Sequence, residues 1–215
     1  MEPLSVLILA GGRSSRMGRD KMWLDLDGRP LIEVVARRLL PIAGEIIFSS
    51  NDSPSLDALV RRLPVPAVVA PDLYRDAGPL AGLQAGLRAA HNAMVFAVAT
   101  DMPFVDPSLV IAMRNHCSDE DAIVPRIRVP GLDEPQSEPL HAIYRKSCLP
   151  AIEAALARGR RRAVSFLDDV RVCYVEDSVL RRLDPDLQSL HNINTPEEWT
   201  AVVSKHRRAT PNSSG

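Results

Sequence analysis

The chain has 215 residues, 46% hydrophobic and 25% charged, which is typical of a soluble globular protein large enough for one α/β domain. Its formal net charge of −1 at pH 7 argues against bulk attraction to nucleic acid or to an anionic membrane surface. Aromatic residues make up only 4% of the chain, too few for a platform on which bases stack. We therefore expect neither a nucleic-acid nor a membrane partner.

The cysteines do not form a recognisable metal or redox motif. Cys117, Cys148 and Cys173 are odd in number and far apart, and the chain has neither a CxxC pair nor a His/Cys set at zinc spacing. We expect packed thiols in a reducing cytoplasm. Residues 1–3 are acidic rather than basic, which argues against a signal peptide, and no segment approaches transmembrane length.

A predicted buried strand runs into a glycine-rich, cationic loop at the start of the chain. The apolar run over residues 4–10 gives way to Gly11 and Gly12, and then to basic residues. Glycines let the backbone approach a phosphate and turn its N–H groups toward it. The cations that could neutralise phosphate oxygens are Arg13, Arg16, Arg19 and Lys21. This pattern favours phosphate binding over a solvated turn, although it is neither GxGxxG nor a Walker loop.

Predicted strands and helices alternate along the rest of the chain. After a hairpin that turns at Asp27 and Gly28, strands are predicted over residues 45–49, 67–70, 94–99, 122–124 and 171–175. Helices are predicted over residues 31–39, 52–62, 79–90, 107–116 and 147–157, and residues 126–137 as a loop. Alternation of this kind predicts a parallel sheet with right-handed crossovers, and residues 94–99 are its best candidate for a central strand.

Polar residues follow four of the predicted strands. They are Gly11 and Gly12, residues 49–51, Asp72 with the proline before it, and Asp101 with the threonine before it. Because ligands of such sheets lie beyond the carboxyl ends of the strands, we expect these segments to converge on one edge. A carboxylate at the tip of a buried strand could cap the next turn, or it could serve as a hard oxygen ligand for magnesium.

The same segments resemble one enzyme family. Residues 9–21 read LAGGRSSRMGRDK and match every fixed position of LAGGxSxRMGxDK, the signature of the molybdenum cofactor guanylyltransferases. DMPF at 101–104, EPLHAIY at 138–144 and NINTPEE at 192–198 resemble later motifs of that family. The resemblance spans residues 4–199. It implies a single Rossmann-like, three-layer α/β nucleotidyltransferase domain with a mostly parallel central sheet over residues 1–204, and we expect 205–215 to be a disordered tail.

The resemblance also implies a reaction and its residues. A family member transfers GMP from GTP to the terminal phosphate of the molybdenum-pterin cofactor, with Mg²⁺ as cofactor, and releases pyrophosphate. The implied catalytic residues are Lys21, Arg16 and Asp101, of which Asp101 binds the metal. The implied nucleotide-binding residues are Leu9, Ala10, Gly11, Gly12, Lys21, Asp72 and Asp101. Proteins that deliver the pterin or receive the product are further partners to expect.

Several alternatives stay open at this stage. The LAGG sequence is similar to the guanine-specific members, whereas cytidylyl relatives carry LAAG. A cytidylyltransferase for the same cofactor, a sugar-nucleotide pyrophosphorylase and a non-catalytic nucleotide-binding regulator remain alternatives. Some family members carry asparagine where this chain has Ser49. The sequence leaves open the roles of Ser49, Asn51, Asn192, Asn194 and residues 160–162, the last either a solvated face or a site for the acceptor phosphate.

Overall fold

The computed structural model describes residues 2–10, 21–51, 53–74 and 78–209. Its strands are β1 (Leu4–Leu9), β2 (Asp25–Leu26), β3 (Arg29–Pro30), β4 (Ala43–Ser49), β5 (Ala67–Ala70), β6 (Met94–Ala99), β7 (Ala122–Ile127), β8 (Gln136–Ser137), β9 (His141–Arg145) and β10 (Val172–Glu176). Its helices are α1 (Leu31–Leu39), α2 (Ser53–Val60), α3 (Pro79–Ala89), α4 (Pro107–His116), α5 (Leu149–Ala157), α6 (Asp177–Leu180) and α7 (Pro196–Ala209). Within the described ranges, no helix is long and apolar enough to cross a membrane.

One mixed sheet forms the centre of the fold. Its strands lie in the order β10-β7-β9-β6-β1-β4-β5, with β8 attached to β7. β1 runs parallel to β4 and β6, whereas β9 is antiparallel to both β6 and β7. The predicted α/β class and mostly parallel sheet are confirmed, and β6 occupies the middle position that its uniformly apolar sequence indicated.

Helices cover both faces of this sheet. Alternate residues of β1 point to opposite faces, so Val6 and Ile8 belong to one core and Leu7 and Leu9 to the other. The first core is closed by α1, α2 and α4, and the second by α3 and α5. The fold therefore has the three layers that the family resemblance implied.

Helix α3 lies unusually close to the sheet because its inner face carries glycine. A Cβ atom at Gly86 would lie 2.3 Å from both methyl carbons of Leu7, whose side chain is fully buried. A Cβ atom at Gly82 would lie 2.6 Å from the Ser49 hydroxyl. The two glycines therefore permit close helix–sheet packing directly beside the strand ends.

Two stretches of the sequence fold differently from the expectation. β7 continues through Ile127, and β8 pairs back onto it, so the segment predicted as a loop over residues 126–137 begins and ends in strands. The strand was not predicted to continue beyond residue 124 because Pro125 follows and proline is depleted from strands. α6 was not predicted either, and its four residues are too few to show a helical period.

The carboxyl-terminal helix is longer than expected. Thr195 and Glu198 form a capping box, in which the Glu198 N–H donates to the Thr195 hydroxyl at 3.2 Å and the Thr195 N–H donates to the Glu198 carboxylate at 3.0 Å. α7 then extends to Ala209, so residues 205–209 are helical and the predicted tail boundary at 205 is wrong. Lysine, arginine and alanine in this segment favour helix. Residues 210–215 lie outside the described ranges.

Two of the three cysteines form a disulfide, so the prediction that all are thiols is wrong. Cys117 follows α4 and Cys173 lies in β10, and their Cα atoms are 6.2 Å apart. The pairing was not predicted from the sequence because the two cysteines are 56 residues apart. They meet because β10 lies beside β7. Cys148 is a free, buried thiol, as predicted.

Replacing Gly86 with alanine should destabilise the fold through its contact with Leu7. We expect Gly86→Ala to lower the free energy of unfolding by about 1–3 kcal/mol through overpacking, although alanine is the better helix former by roughly 1 kcal/mol. Urea unfolding of Gly86→Ala, Leu7→Ala and the double variant checks this. In the Leu7→Ala background the second substitution should cost nothing, and an equal cost in both backgrounds would contradict the contact.

Candidate active site

The ends of the central strands are tied together by hydrogen bonds. The Ala10 N–H donates to the Ser49 carbonyl at 3.0 Å, which links the end of β1 to β4. On the other side, the Leu9 carbonyl accepts from the Thr100 N–H at 3.3 Å and from the Thr100 hydroxyl at 2.7 Å. The predicted convergence at one sheet edge is therefore confirmed for the segments that follow β4, β5 and β6.

Some of the predicted site residues lie outside the described ranges. They are Gly11, Gly12 and Arg16, which follow β1 in the sequence. Leu9 and Ala10, at the end of that strand, are each 7% exposed and lie at the edge where the other predicted residues meet.

Lys21 and Asp101 are brought together at this edge. The Lys21 Nζ lies 3.5 Å from an Asp101 carboxylate oxygen, and both side chains are largely shielded from solvent. The same ammonium donates to the Ile193 carbonyl at 3.0 Å and to the Asn194 side-chain oxygen at 3.2 Å. The Ile193 N–H donates to the Asp101 carbonyl at 2.9 Å, so the NINTPEE motif near the end of the chain lies against the DMPF motif.

Hydrophobic packing holds the late motif in this position. Ile193 is 1% exposed and forms a small core with Leu26 and Leu31, against which Trp199 of α7 packs. The β2–β3 hairpin and the start of α1 thereby fix the loop that carries Asn194. The structure assigns Asn194 a contact with Lys21, a contact that the sequence alone did not indicate.

A second polar group surrounds Asp72 at the end of β5. The Ser49 hydroxyl donates to the Asp72 carboxylate at 2.8 Å, and the Asp72 N–H donates to the Asn51 side-chain oxygen at 3.0 Å. Burial raises the pKa of Asp72, and the Ser49 hydrogen bond opposes that rise. Ser49 and Asn51, whose roles the sequence left open, therefore both position Asp72.

The arginine segment after α5 reaches the start of α3. The Leu80 N–H donates to the Arg161 carbonyl at 3.3 Å, and a Cβ atom at Gly78 would lie 3.0 Å from the same carbonyl. The backbone of Arg161 is thus held beside the start of α3.

The electrostatics of the site single out one further residue, Glu138. Burial raises the pKa of Asp101, and the charge of Lys21 opposes that rise. Burial also raises the pKa of Glu138, where the Leu140 N–H opposes the rise and the charge of Asp101 adds to it. Glu138 was noted in the sequence only as part of the EPLHAIY motif. It was missed as a site residue because its proximity to Asp101 depends on β9 running antiparallel to β6.

Asp101 has the chemistry that a magnesium site requires. Mg²⁺ is bound in proteins by one or two carboxylates together with oxygens of a bound phosphate. The Asp101 side chain keeps 24% of its surface exposed at the sheet edge, so it is partly accessible to a ligand. These residues fit the cofactor that the resemblance implied.

Comparison with known proteins identifies the same family as the opening motif. Residues 6–172 match a family model described as "MobA-like NTP transferase domain". A Methanosarcina mazei protein named "Probable molybdenum cofactor guanylyltransferase" is 36% identical, with 93% of this chain and 89% of that protein covered. The molybdenum cofactor guanylyltransferase of Desulfosudis oleivorans is 34% identical, with 92% and 93% covered.

A solved structure shares the fold over nearly the whole chain. The crystal structure of molybdopterin-guanine dinucleotide biosynthesis protein A from Archaeoglobus fulgidus superposes with a TM-score of 0.74 and is 28% identical, with 96% of this chain and 98% of that chain covered. The sheet, its polar strand ends and these matches define a nucleotidyltransferase. More narrowly, the chain belongs to the MobA-like NTP transferase family, and the resemblance of its opening motif is confirmed.

Removing the Ser49 hydroxyl should change the ionisation of Asp72. The hydroxyl stabilises the charged carboxylate, so Ser49→Ala should move the pKa of Asp72 further upward. Carboxyl ¹³C NMR titration measures this pKa directly. Ser147→Ala is the matched control, because the Ser147 hydroxyl donates to Asp121 at 2.7 Å and lowers its pKa. That variant should raise the pKa of Asp121 and leave Asp72 unchanged, whereas an unmoved Asp72 in Ser49→Ala would contradict the assignment.

Proposed function

We propose that this protein transfers GMP from GTP to the terminal phosphate of a molybdenum-pterin cofactor, giving the guanine dinucleotide form and pyrophosphate. The observation that carries the proposal is the contact between Lys21 and Asp101, at 3.5 Å, beside the end of the strand that leads into the LAGG loop. Membership of the MobA-like family and the names of the relatives support guanine as the base and the pterin as the acceptor.

The transfer needs positioning and charge neutralisation rather than a nucleophilic side chain. The acceptor phosphate oxygen attacks the α-phosphorus of GTP, a new P–O bond forms, and the bond to the β-phosphate oxygen breaks so that pyrophosphate leaves. Both reactants are anions, so their mutual repulsion is the main obstacle. Positive charge placed along the triphosphate lowers that barrier.

Lys21 is suited to supply this charge. Its ammonium is held by the Ile193 carbonyl and the Asn194 side chain, while its contact with Asp101 is longer than either hydrogen bond. A triphosphate oxygen at the site would offer Lys21 a third acceptor without loss of the first two. Arg16, in the preceding loop, is proposed as a second cation.

Asp101 is proposed to hold Mg²⁺ with the nucleotide. When bound, the ion neutralises phosphate oxygens and favours departure of pyrophosphate. Asp72 would contact the guanine or ribose side, with Ser49 and Asn51 fixing its orientation. Leu9, Ala10, Gly11 and Gly12 would provide the backbone against which the nucleotide lies.

Removing the charge of Lys21 should slow the reaction without unfolding the protein. Loss of a group that stabilises developing charge costs roughly two to three orders of magnitude in rate. We expect Lys21→Ala to lower kcat by about that factor, measured as pyrophosphate release, while thermal unfolding stays cooperative. Lys205→Ala, which removes a lysine of α7, is the control and should keep wild-type kcat. A folded, fully active Lys21→Ala enzyme would contradict the proposal.

The enzyme should prefer GTP over CTP and ATP. Guanine offers two N–H donor groups and two acceptors. A site whose polar groups pair with guanine can reject another base by about four orders of magnitude, because that base leaves some of those polar groups unpaired. Pyrophosphate release from each nucleotide, with purified protein and pterin cofactor, measures the ratio. We expect Gly12→Ala to lower the ratio of GTP turnover to CTP or ATP turnover, because the added methyl group would crowd the base. Faster use of CTP would instead support the cytidylyltransferase alternative, and nucleotide binding without release would support a regulator.

A further inference from the structure

The ladder between β6 and β9 brings Glu138 to the edge of the sheet at which Asp101 lies. Val98 pairs with His141 in this antiparallel ladder, and the Ala99 N–H donates to the Leu140 carbonyl at 3.0 Å at its end. Asp101 follows Ala99 by two residues and Glu138 precedes Leu140 by two residues, each within a turn beyond the ladder. The antiparallel direction of β9 thus brings the residues that precede it to the edge where the parallel strands end.

The backbone around Glu138 is held on both sides. Its N–H donates to the Pro125 carbonyl at 2.9 Å, and its carbonyl accepts from the His141 N–H at 3.3 Å. The carbonyl of the next residue, Pro139, accepts from the hydroxyl of the fully buried Tyr144 at 2.7 Å. The backbone of Glu138 is therefore held in place at this edge of the sheet.

The Glu138 carboxylate has capacity beyond its one local hydrogen bond. Its Oε1 accepts from the Leu140 N–H at 3.3 Å, a long contact that a neutral oxygen could also make. Among the described residues, Lys21 forms an ion pair with Asp101 and no cation forms one with Glu138. Two carboxylates and one ammonium leave an excess of negative charge, which a divalent cation would offset.

We propose that Glu138 is a second carboxylate of the nucleotide site and holds the Mg²⁺ ion of the GTP complex together with Asp101. The inference rests on the proposed function, since it concerns the same ion. It assigns a role to a residue that sequence reasoning left without one. The competing role for Glu138 is a purely structural acceptor for the Leu140 N–H.

Substituting glutamine separates these two roles. Glu138→Gln keeps an oxygen that can accept from the Leu140 N–H and removes the negative charge. The probe is Mn²⁺, whose free ion is counted by electron paramagnetic resonance, titrated into protein with a GTP analogue that carries a methylene between the α- and β-phosphates. The analogue permits binding without turnover, so the readout is metal affinity and not activity.

We expect Glu138→Gln to weaken Mn²⁺ binding in the analogue complex by roughly 10- to 100-fold. Glu134→Gln, at an exposed position on the other side of β8, is the matched control and should bind Mn²⁺ like the wild type. Glu138→Asp keeps the charge on a shorter side chain and should lie between the wild type and Glu138→Gln, an order that misfolding would not produce. In the absence of metal, the affinity of Glu138→Gln for the analogue should not fall, because the carboxylate charge that this substitution removes repels phosphate in the wild type.

The outcomes distinguish the inference from the function on which it rests. If the wild type binds Mn²⁺ with the analogue, Asp101→Asn loses it, and Glu138→Gln keeps wild-type affinity, then Glu138 is only a structural acceptor and the inference is overturned. If the wild type itself binds no Mn²⁺ in the presence of the analogue, the proposed function is overturned and the inference with it. Weaker Mn²⁺ binding in Glu138→Gln, with wild-type affinity in Glu134→Gln, supports both the inference and the proposed function.

Discussion

The site depends on the hydrogen bonds that tie β1 to its two parallel neighbours. Leu9 and Ala10 end the strand that leads into the cationic loop, and their backbone groups bond to β4 on one side and to Thr100 on the other. Because the strands are parallel and in register, the polar residue after each must emerge at the same edge. The fold thus concentrates charge at this edge by backbone geometry alone, and the buried cores on both faces keep the strands from shifting.

The pKa values of buried carboxylates are shifted in opposite directions at the two edges of the sheet. At the amino-terminal edge, Glu45 accepts from the Ser5 hydroxyl at 2.6 Å and lies 2.7 Å from the His91 ring. Burial alone would raise the pKa of Glu45, but these hydrogen bonds outweigh it and hold the pKa below its ordinary value. At the carboxyl-terminal edge, burial prevails at Asp72 and Asp101, and their pKa values are raised. Carboxylates that are buried with few partners have unmet interaction capacity, which is characteristic of a functional site.

Local sequence signals predicted those parts of the fold that depend on neighbours in the chain. β5, β6 and α4 were predicted with their observed bounds, because two are apolar runs of strand length and the third begins with proline at its first turn. The Thr195–Glu198 capping box likewise joins residues that are only three positions apart in the chain. The Lys21–Asp101 contact was foreseen only in outline, as two strand ends on one edge. Cys117 with Cys173, and Lys21 with Asn194, join segments whose meeting no local pattern encodes.

The antiparallel strand β9 explains why the remaining site residue was not predictable. In a wholly parallel sheet, only residues that follow strands reach the ligand edge, so the rule for such sheets does not extend to a residue that precedes a strand. β9 lies between β6 and β7 and runs the other way, so the residue that precedes it reaches the same edge. Strand direction is a property of the whole topology and leaves no trace in the EPLHAIY motif itself. One reversed strand therefore brings Glu138, the second carboxylate that we propose for the site, from a segment that the rule for parallel sheets would exclude.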